Sequence, residues 1–425
     1  MNAVVMPAEP QEREAFLITG QGTRAVAPGL WVLHGQGQSF VAEVDGGLVL
    51  VDAGPGGRTT RAMITALREV SQAPLLALCH SHGHLGYNAG VPLWLAHARE
   101  RGDPPPRVIA HANVPRRLAR YRETMPLQER MAEIQFRAAP MTRSGRLPVH
   151  DPLETFEGEL VLGSSAGRHV TLLWSPSETD DAIALWCPAQ GVLYGGPTTI
   201  DSIPNLGTPL RSQRDARRWA QSLERLAALG ARHLVREFGD DVVGADAVRT
   251  VLTGTAQALH WLRDETVRLM NAGWNEREIL ERIEPPPALF DQPWMRPTYG
   301  DPLWIVRDIW RSENGWWDRN PTHLHPAPLA AQQQATADAI TDKDAVLRQA
   351  RALAGRGEFQ LALHVIDLLA TLHAVEDPAV AEARALKAQW LRQRASGVRS
   401  YVSKSLYHAS ADALEHPGRP HFGLA

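Results

Sequence analysis

Three histidines alternate in the run His80-Ser81-His82-Gly83-His84, directly after the apolar stretch LLALC. Alternate side chains of an extended chain point the same way, so three imidazoles can share one side at the end of a strand. Neutral imidazole offers a lone pair near neutral pH, which makes it a common metal ligand. A polar loop whose histidines bond backbone groups is the ordinary alternative. Metal is the better reading, because three alternating histidines at a strand terminus are hard to reach by accident. Downstream, Ser175-Pro176-Ser177-Glu178-Thr179-Asp180-Asp181 is an acidic loop between two β-rich stretches. Its carboxylates can supply an oxygen ligand or accept from a ring N–H. On its own it reads as a solvated turn.

Supporting residues surround these two runs. Tyr87 and Asn88 follow the histidines and can line a pocket, although Asn88 can equally cap the next helix. Arg211 and Arg214 follow Asn205. The planar fork of Arg211 can hold a sulfate, phosphate or carboxylate. Starting a helix in solvent is an equal reading for Arg211 and the preferred one for Arg214. Cys79 is expected to face the core as a small apolar residue. The pair His323 and His325 has metal-like spacing but lies between prolines, and reads as structural.

The elements that must position these groups come in two styles. LWVLHG, SFVAEV and LVLVDAG read as strands, with Asp45-Gly46-Gly47 as a turn. Residues 59–72 have helical spacing, LLALCH is a buried strand, and a helix starts near Val91. The stretch 113–140 reads as a basic helix; VTLLW, AIALW, GVLY and HLVREFG read as strands. Residues 212–229 form an amphipathic helix with Gly230 at its C-terminal cap. After Gly244 the pattern is helical: 245–283, 301–313, then hairpins at 344–355, 358–372 and 378–393 that suggest a small repeat-like array. The domains expected are 1–245, 246–340 and 341–425.

Bulk properties limit the partners. The chain has 425 residues, 44% hydrophobic and 21% charged, too long for one compact core. A net charge of −3 implies no general attraction to nucleic acid or anionic membrane. Two cysteines rule out a disulfide framework and suit the cytoplasm. The first residues lack a charged-then-apolar signal pattern, and no apolar run approaches the ~20 residues of a membrane span. Several of the 13 tryptophans cluster between Trp274 and Trp317, which points to aromatic packing or an interface there.

Taken in order, VDAGPG, HSHGH, SPSETDDAIALWCP and PNLGTPLRSQRDARRWAQSL resemble the metallo-β-lactamase superfamily, and within it the alkylsulfatase-like branch. LMNAGWNEREILERI and PTYGDPLWIVRDIWRSENGWWDRNPTHLHP resemble the alkylsulfatase dimerisation domain. The likeness spans roughly residues 25–395. It implies an α+β fold: an αββα sandwich followed by an all-α dimerisation region, assembled as a homodimer. It also implies that Asp52 braces the metal loop, and that Asn205 and Arg211, with Tyr87 nearby, meet the substrate.

The family motif His-x-His-x-Asp-His is altered here. His84 stands at the Asp position and Leu85 at the last His. The bridging acid falls on Pro197, and the late Gly-His-Gly falls on Glu237-Phe238-Gly239. The losses gather on one metal and on the bridge. The resemblance therefore implies one divalent ion on His80, His82, Glu178 and optionally His84, with Glu237 a further residue able to reach in. Zn²⁺ suits the superfamily, and Fe²⁺ or Mn²⁺ can occupy such a set, since two histidines and a carboxylate also form the facial triad of non-haem iron oxygenases. The expected reaction is attack of metal-held hydroxide on an anionic ester-like small molecule, with Arg211 neutralising its head group and His84 or Asp181 relaying the proton. A non-hydrolytic metalloenzyme and a non-catalytic dimeric scaffold are the alternatives.

Overall fold

The computed structural model describes residues 22–136, 149–164, 168–372 and 376–416. They fall into two compact units. One holds the described residues up to 128 and those from 149 to 313, and the other holds 129–136 and those from 314 onward.

In the first unit, alternating apolar stretches make two sheets. The first has seven strands in chain order: β1 (Thr23–Ala27), β2 (Leu30–Gly35), β3 (Gly37–Val44), β4 (Gly47–Val51), β5 (Leu75–Cys79), β6 (Arg107–His111) and β7 (Glu154–Phe156). Strands β1 to β4 pair antiparallel, and Val44 opposes Gly47 across the Asp45-Gly46 turn. From β4 to β7 the pairing is parallel. Parallel strands need crossovers. Helices α1 (Gly57–Val70) and α2 (Val91–Glu100) supply the first two, and α3 (Val114–Glu123) and α4 (Met125–Phe136) follow β6.

The second sheet holds β8 (Glu159–Gly163), β9 (His169–Trp174), β10 (Ile183–Cys187), β11 (Val192–Ile200), β12 (His233–Phe238) and β13 (Val242–Val243), in the order β13-β12-β11-β10-β9-β8. Helix α5 (Ala216–Ala227) makes the parallel crossover from β11 to β12. Period-two alternation gives each central strand two buried faces. Val49, Val51, Cys79, Leu172, Leu185, Tyr194 and Val235 fill the space between the sheets. Leu48, Leu50 and Leu78 face α1 and α2, through Met63, Leu67 and Trp94. Leu193 and Leu234 face α5 and the long helix α6 (Ala245–Asn271), through Trp219, Leu223, Leu252 and Leu259. The architecture is α/β/β/α. Each fully buried Leu or Val contributes roughly 1.5–3 kcal/mol.

Helices α6, α7 (Glu276–Arg282), α8 (Pro287–Phe290) and α9 (Pro302–Asn314) build the outer layer around Ile279, Phe290, Ile305 and Trp310. Residue 245 thus marks a change from sheet to helix, whereas the compact units part at 313/314. In the second unit, α10 (Leu329–Ala339), α11 (Lys343–Gly355), α12 (Phe359–Ala370), α13 (Pro378–Ser396) and α14 (Tyr401–Glu415) follow in turn. Asp342 and Asp377 cap α11 and α13 by accepting from Ala345 N and Ala379 N. Leu347, Ile366, Leu369, Val380 and Leu391 form the core of these hairpins. No helix among the described residues is long and apolar enough to cross a membrane.

Candidate metal centre

The strand ends of the sandwich carry the polar residues. Strand β4 ends at Asp52, β5 at the histidine run, β9 at the acidic loop and β12 near Glu237. His82, His84 and Glu178 bring one ligand-capable atom each to within 4.8 Å of one another. His82 Nε2 lies 2.8 Å from His84 Nδ1, and His84 Nδ1 lies 3.6 Å from Glu178 Oε1. The rings of His82 and His84 meet edge to face.

His80 stands outside this group. The chain leaves β5 at Cys79 and bends at residues 81–83, so the extended path that would align three rings ends at once. His80 is buried, and its Nε2 has no hydrogen-bond partner. Burial holds His80 down to about 4 and His82 to about 3, and pushes His84 well below the usual imidazole range. All three rings are therefore neutral at pH 7, each keeping one N–H and one lone pair.

Two buried carboxylates fix the loop. Asp52 Oδ1 accepts from Ser81 N and from Asn88 Nδ2, both at 2.9 Å. Asn88 Oδ1 accepts from Ala53 N, so Asn88 ties two loops together and does not cap α2, which begins after Gly90 without a side-chain cap. Burial raises the Asp52 carboxyl to about 6, although the bonds from Ser81 and Asn88 oppose that rise. Asp181, fully buried, accepts from Gly83 N at 3.3 Å, from the Thr179 hydroxyl and from Arg117 Nε at 2.5 Å. These partners make it a brace for the loop rather than a free proton relay. Arg117 also bonds Asp180. A side chain at residue 83 would lie 2.8 Å from Arg117 Cδ and 2.9 Å from Asp181 Oδ2, so only glycine lets these elements close.

Glu178 is oriented from the other side. Its Oε1 accepts from Asn205 Nδ2 at 2.7 Å and from Arg214 at 3.0 Å. The side chains of Arg214 and Glu178 are only 4% and 6% exposed. Arg214, expected in solvent, is a buried counter-ion, because the segment before α5 turns inward over the acidic loop. Asn205 has no exposed surface and holds the carboxylate instead of facing a substrate. Trp219 Nε1 donates to Thr198 O of β11, and the hydroxyl of Ser222 donates to Pro176 O, so α5 pins both that strand and the acidic loop.

Tyr87 is buried with its ring edge-on to His82 at 4.5 Å. Burial raises its phenol well above the usual range, and Glu237 and Glu178 add to the rise. Arg211 lies near enough to depress the proton affinity of His84, behind the larger effects of burial, His82, Arg214 and Arg117. Leu85 packs against an apolar cluster of Ala110, Val114, Leu118 and Tyr121. Pro197 occupies a bulged stretch of β11, where it has no N–H to offer. His323, in a surface turn, bonds Asp318. A cleft of about 700 Å³ opens on Glu178 and Arg214, and Arg116, Arg117, Arg120 and Arg218 share its lining.

Residues 33–236 match the metallo-beta-lactamase superfamily, and residues 275–417 match the alkyl sulfatase dimerisation family. A linear primary-alkylsulfatase from a Pseudomonas strain is 28% identical over 338 residues, 75% of this chain and 64% of that protein. An (R)-specific secondary-alkylsulfatase from Pseudomonas is 26% identical over 423 residues, 93% of this chain and 63% of that one. The chain spans a little under two thirds of the length of these curated relatives. The solved structure of the stereoselective inverting sec-alkylsulfatase Pisa1 from Pseudomonas superposes with a TM-score of 0.79 at 23% identity, covering 94% of this chain and 66% of that one. At that identity the likeness is one of fold. By these matches the chain carries a metallo-beta-lactamase superfamily domain followed by an alkyl sulfatase dimerisation domain.

Proposed function

We propose that this protein is a metal-dependent hydrolase of an anionic ester, an alkyl sulfate or a close chemical relative, working with one divalent ion on His82, His84 and Glu178. The observation that carries the reading is the gathering of two neutral imidazoles and a carboxylate within 4.8 Å, the carboxylate of Glu178 also lining an arginine-rich cleft. The donor set fits a divalent transition ion: two nitrogens and one oxygen suit Zn²⁺, and Fe²⁺ or Mn²⁺ as well. One ion is favoured over two, because Leu85, Pro197 and Phe238 stand where the family keeps other ligands. A bound divalent ion would supply Lewis acidity and a more acidic water.

The protein's own residues supply orientation and charge. Asn205 and Arg214 hold Glu178 in one position, and Asp52 and Asp181 fix the backbone at Ser81 and Gly83. His84 serves as a ligand in this reading, and Arg211 binds the anionic head group beside it. Guanidinium suits that role because it stays charged and offers paired donors. The dimerisation-family match supports a homodimer as the working assembly.

Sulfate release from a medium-chain alkyl sulfate by full-length protein tests the reading. Release that stops with chelator, and in His82→Ala and Glu178→Gln, is the expected result. Metal-loaded protein that cleaves neither sulfate nor other anionic esters would overturn it. The same donor set is used by oxygen-activating iron enzymes, so oxygen uptake on iron loading is the mark of that second reading.

A further inference from the structure

The cleft that opens on Glu178 is basic, although the chain as a whole carries a net charge of −3. Seven arginines line it against four carboxylates. Four of the arginines are already matched. Arg116 and Arg117 pair with Asp180, Arg214 with Glu178, and Arg263 with Glu313. The fourth carboxylate, Asp215, caps α5 by accepting from Arg218 N. Arg120 on α3 and Arg217 and Arg218 on α5 remain, and no carboxylate among the described residues pairs with their side chains.

Their placement is unfavourable in the absence of an anion. Arg217 and Arg218 stand in the first turn of α5, the positive end of the helix dipole, and that turn holds no acid of its own. Arg116 and Arg120 lie four residues apart on α3, where like charges repel. Arg218 is held ready. Its guanidinium lies 5.5 Å over the ring of Trp174, which stacks on His111 and donates from Nε1 to Asp180 O. Stacking occupies the face of the guanidinium and leaves its in-plane N–H donors for an oxyanion. The cleft, about 700 Å³, is the size of a small-molecule site. The apolar side chains of its described lining are Pro176, Ala216 and Ile309, too few to cover an alkyl chain.

We infer that this cleft binds a second anionic group of the substrate, so that the ester hydrolysed carries two charged ends. The ester head group sits at the metal, and a carboxylate, sulfate or phosphate at the far end of a short chain is held by Arg120, Arg217 and Arg218. The inference rests on the proposed metal site for the position of the head group. Glu178 belongs to that site and also lines the cleft, so the two are continuous. An alkyl sulfate with an uncharged tail is then the poorer substrate.

Alkane sulfonates test this without turnover, because their C–S bond survives where a sulfate ester is cleaved. Full-length protein purified without chelators is titrated calorimetrically, at low salt, with α,ω-alkanedisulfonates of four to eight carbons and with monosulfonates of equal length. A disulfonate is expected to bind about tenfold or more tightly than its monosulfonate, the scale of one charge-assisted hydrogen bond, and salt should erode the advantage. Arg217 and Arg218 are exposed, so the double variant Arg217→Gln/Arg218→Gln is expected to remove most of that advantage without lowering the melting temperature. Arg120→Gln should reduce it separately. Equal binding of the two ligands, or no binding of either, would overturn the inference, as would an advantage that survives in both variants. If the variants weaken monosulfonate and disulfonate alike, the cleft holds a lone head group and the assignment of the tail falls. An arginine-dependent advantage in protein that takes up no metal and cleaves no ester supports the two-anion site and overturns the hydrolase reading instead.

Discussion

Replacing Arg214 by Met separates the ion pair from the metal that Glu178 is proposed to hold. In the wild type the two side chains meet at 3.0 Å, 4% and 6% exposed. Removing one partner of such a buried pair costs about 3–5 kcal/mol, because the other charge stays buried. Asn205 still donates to Glu178 at 2.7 Å, which places the loss toward the lower end. At ~2–4 °C per kcal/mol for a large domain, the metal-free variant is expected to melt roughly 6–12 °C below wild type. Divalent metal should narrow that gap, since a bound cation restores the missing positive charge. Saturation near 100 times the dissociation constant adds about 2.7 kcal/mol to any form that binds only when folded. At the metal concentration that gives wild type this gain, the variant, binding more tightly because its Glu178 has lost its counter-ion, should gain more. Calorimetric melts of both proteins, with chelator and with Zn²⁺, provide the check. Equal melting in chelator would refute the pairing, and a gap indifferent to metal would refute the shared use of Glu178.

Other consequences follow from buried groups around the site. Arg117→Met leaves the fully buried Asp181 without its cation and should cost ~3–5 kcal/mol, while the double variant with Asp181→Asn should cost less than the sum, as a denaturant-based mutant cycle would show. With Asp52 raised to about 6, the folded chain keeps a proton that the unfolded chain loses near pH 4, so this group's contribution to stability falls as pH rises from about 4 to 6. Asp52→Asn should therefore gain up to ~3 kcal/mol on wild type between pH 4 and 7 in chelator, and a constant difference would contradict that. Cys79 and Cys187 are buried, and burial pushes both thiols up, so neither should react with a thiol reagent at pH 8 until the protein unfolds.

Much of this molecule was legible in its sequence. The helix expected at 212–229 is Ala216–Ala227, and those at 344–355, 358–372 and 378–393 are Lys343–Gly355, Phe359–Ala370 and Pro378–Ser396. Apolar spacing decides such elements locally, so periodicity is enough. The basic stretch 113–140 is two helices, parted at Thr124, and its last residues lie outside the described ones. The loops are less legible. Alternation placed three rings together, but the backbone bends after His80, and only the bonds from Asp52 and Asp181 reveal why. Arg117 looked like one charge among many on a basic helix. Its bond to Asp181 joins residues 64 apart in the chain, and no local pattern carries that. The burial of Arg214 is hidden from the sequence for the same reason, since residues at helix starts are usually exposed. In the sequence Glu237 stands out only as the neighbour of Phe238; its burial beside Tyr87 and Glu178 is a property of the folded interior.

The most direct test is the metal content of protein purified without chelators, as moles of ion per chain, repeated for His82→Ala. One ion per chain in the wild type, lost in the variant, is the expected result. A content near two ions, or a wild-type chain that takes up none when metal is offered, would contradict a single-ion centre on His82, His84 and Glu178.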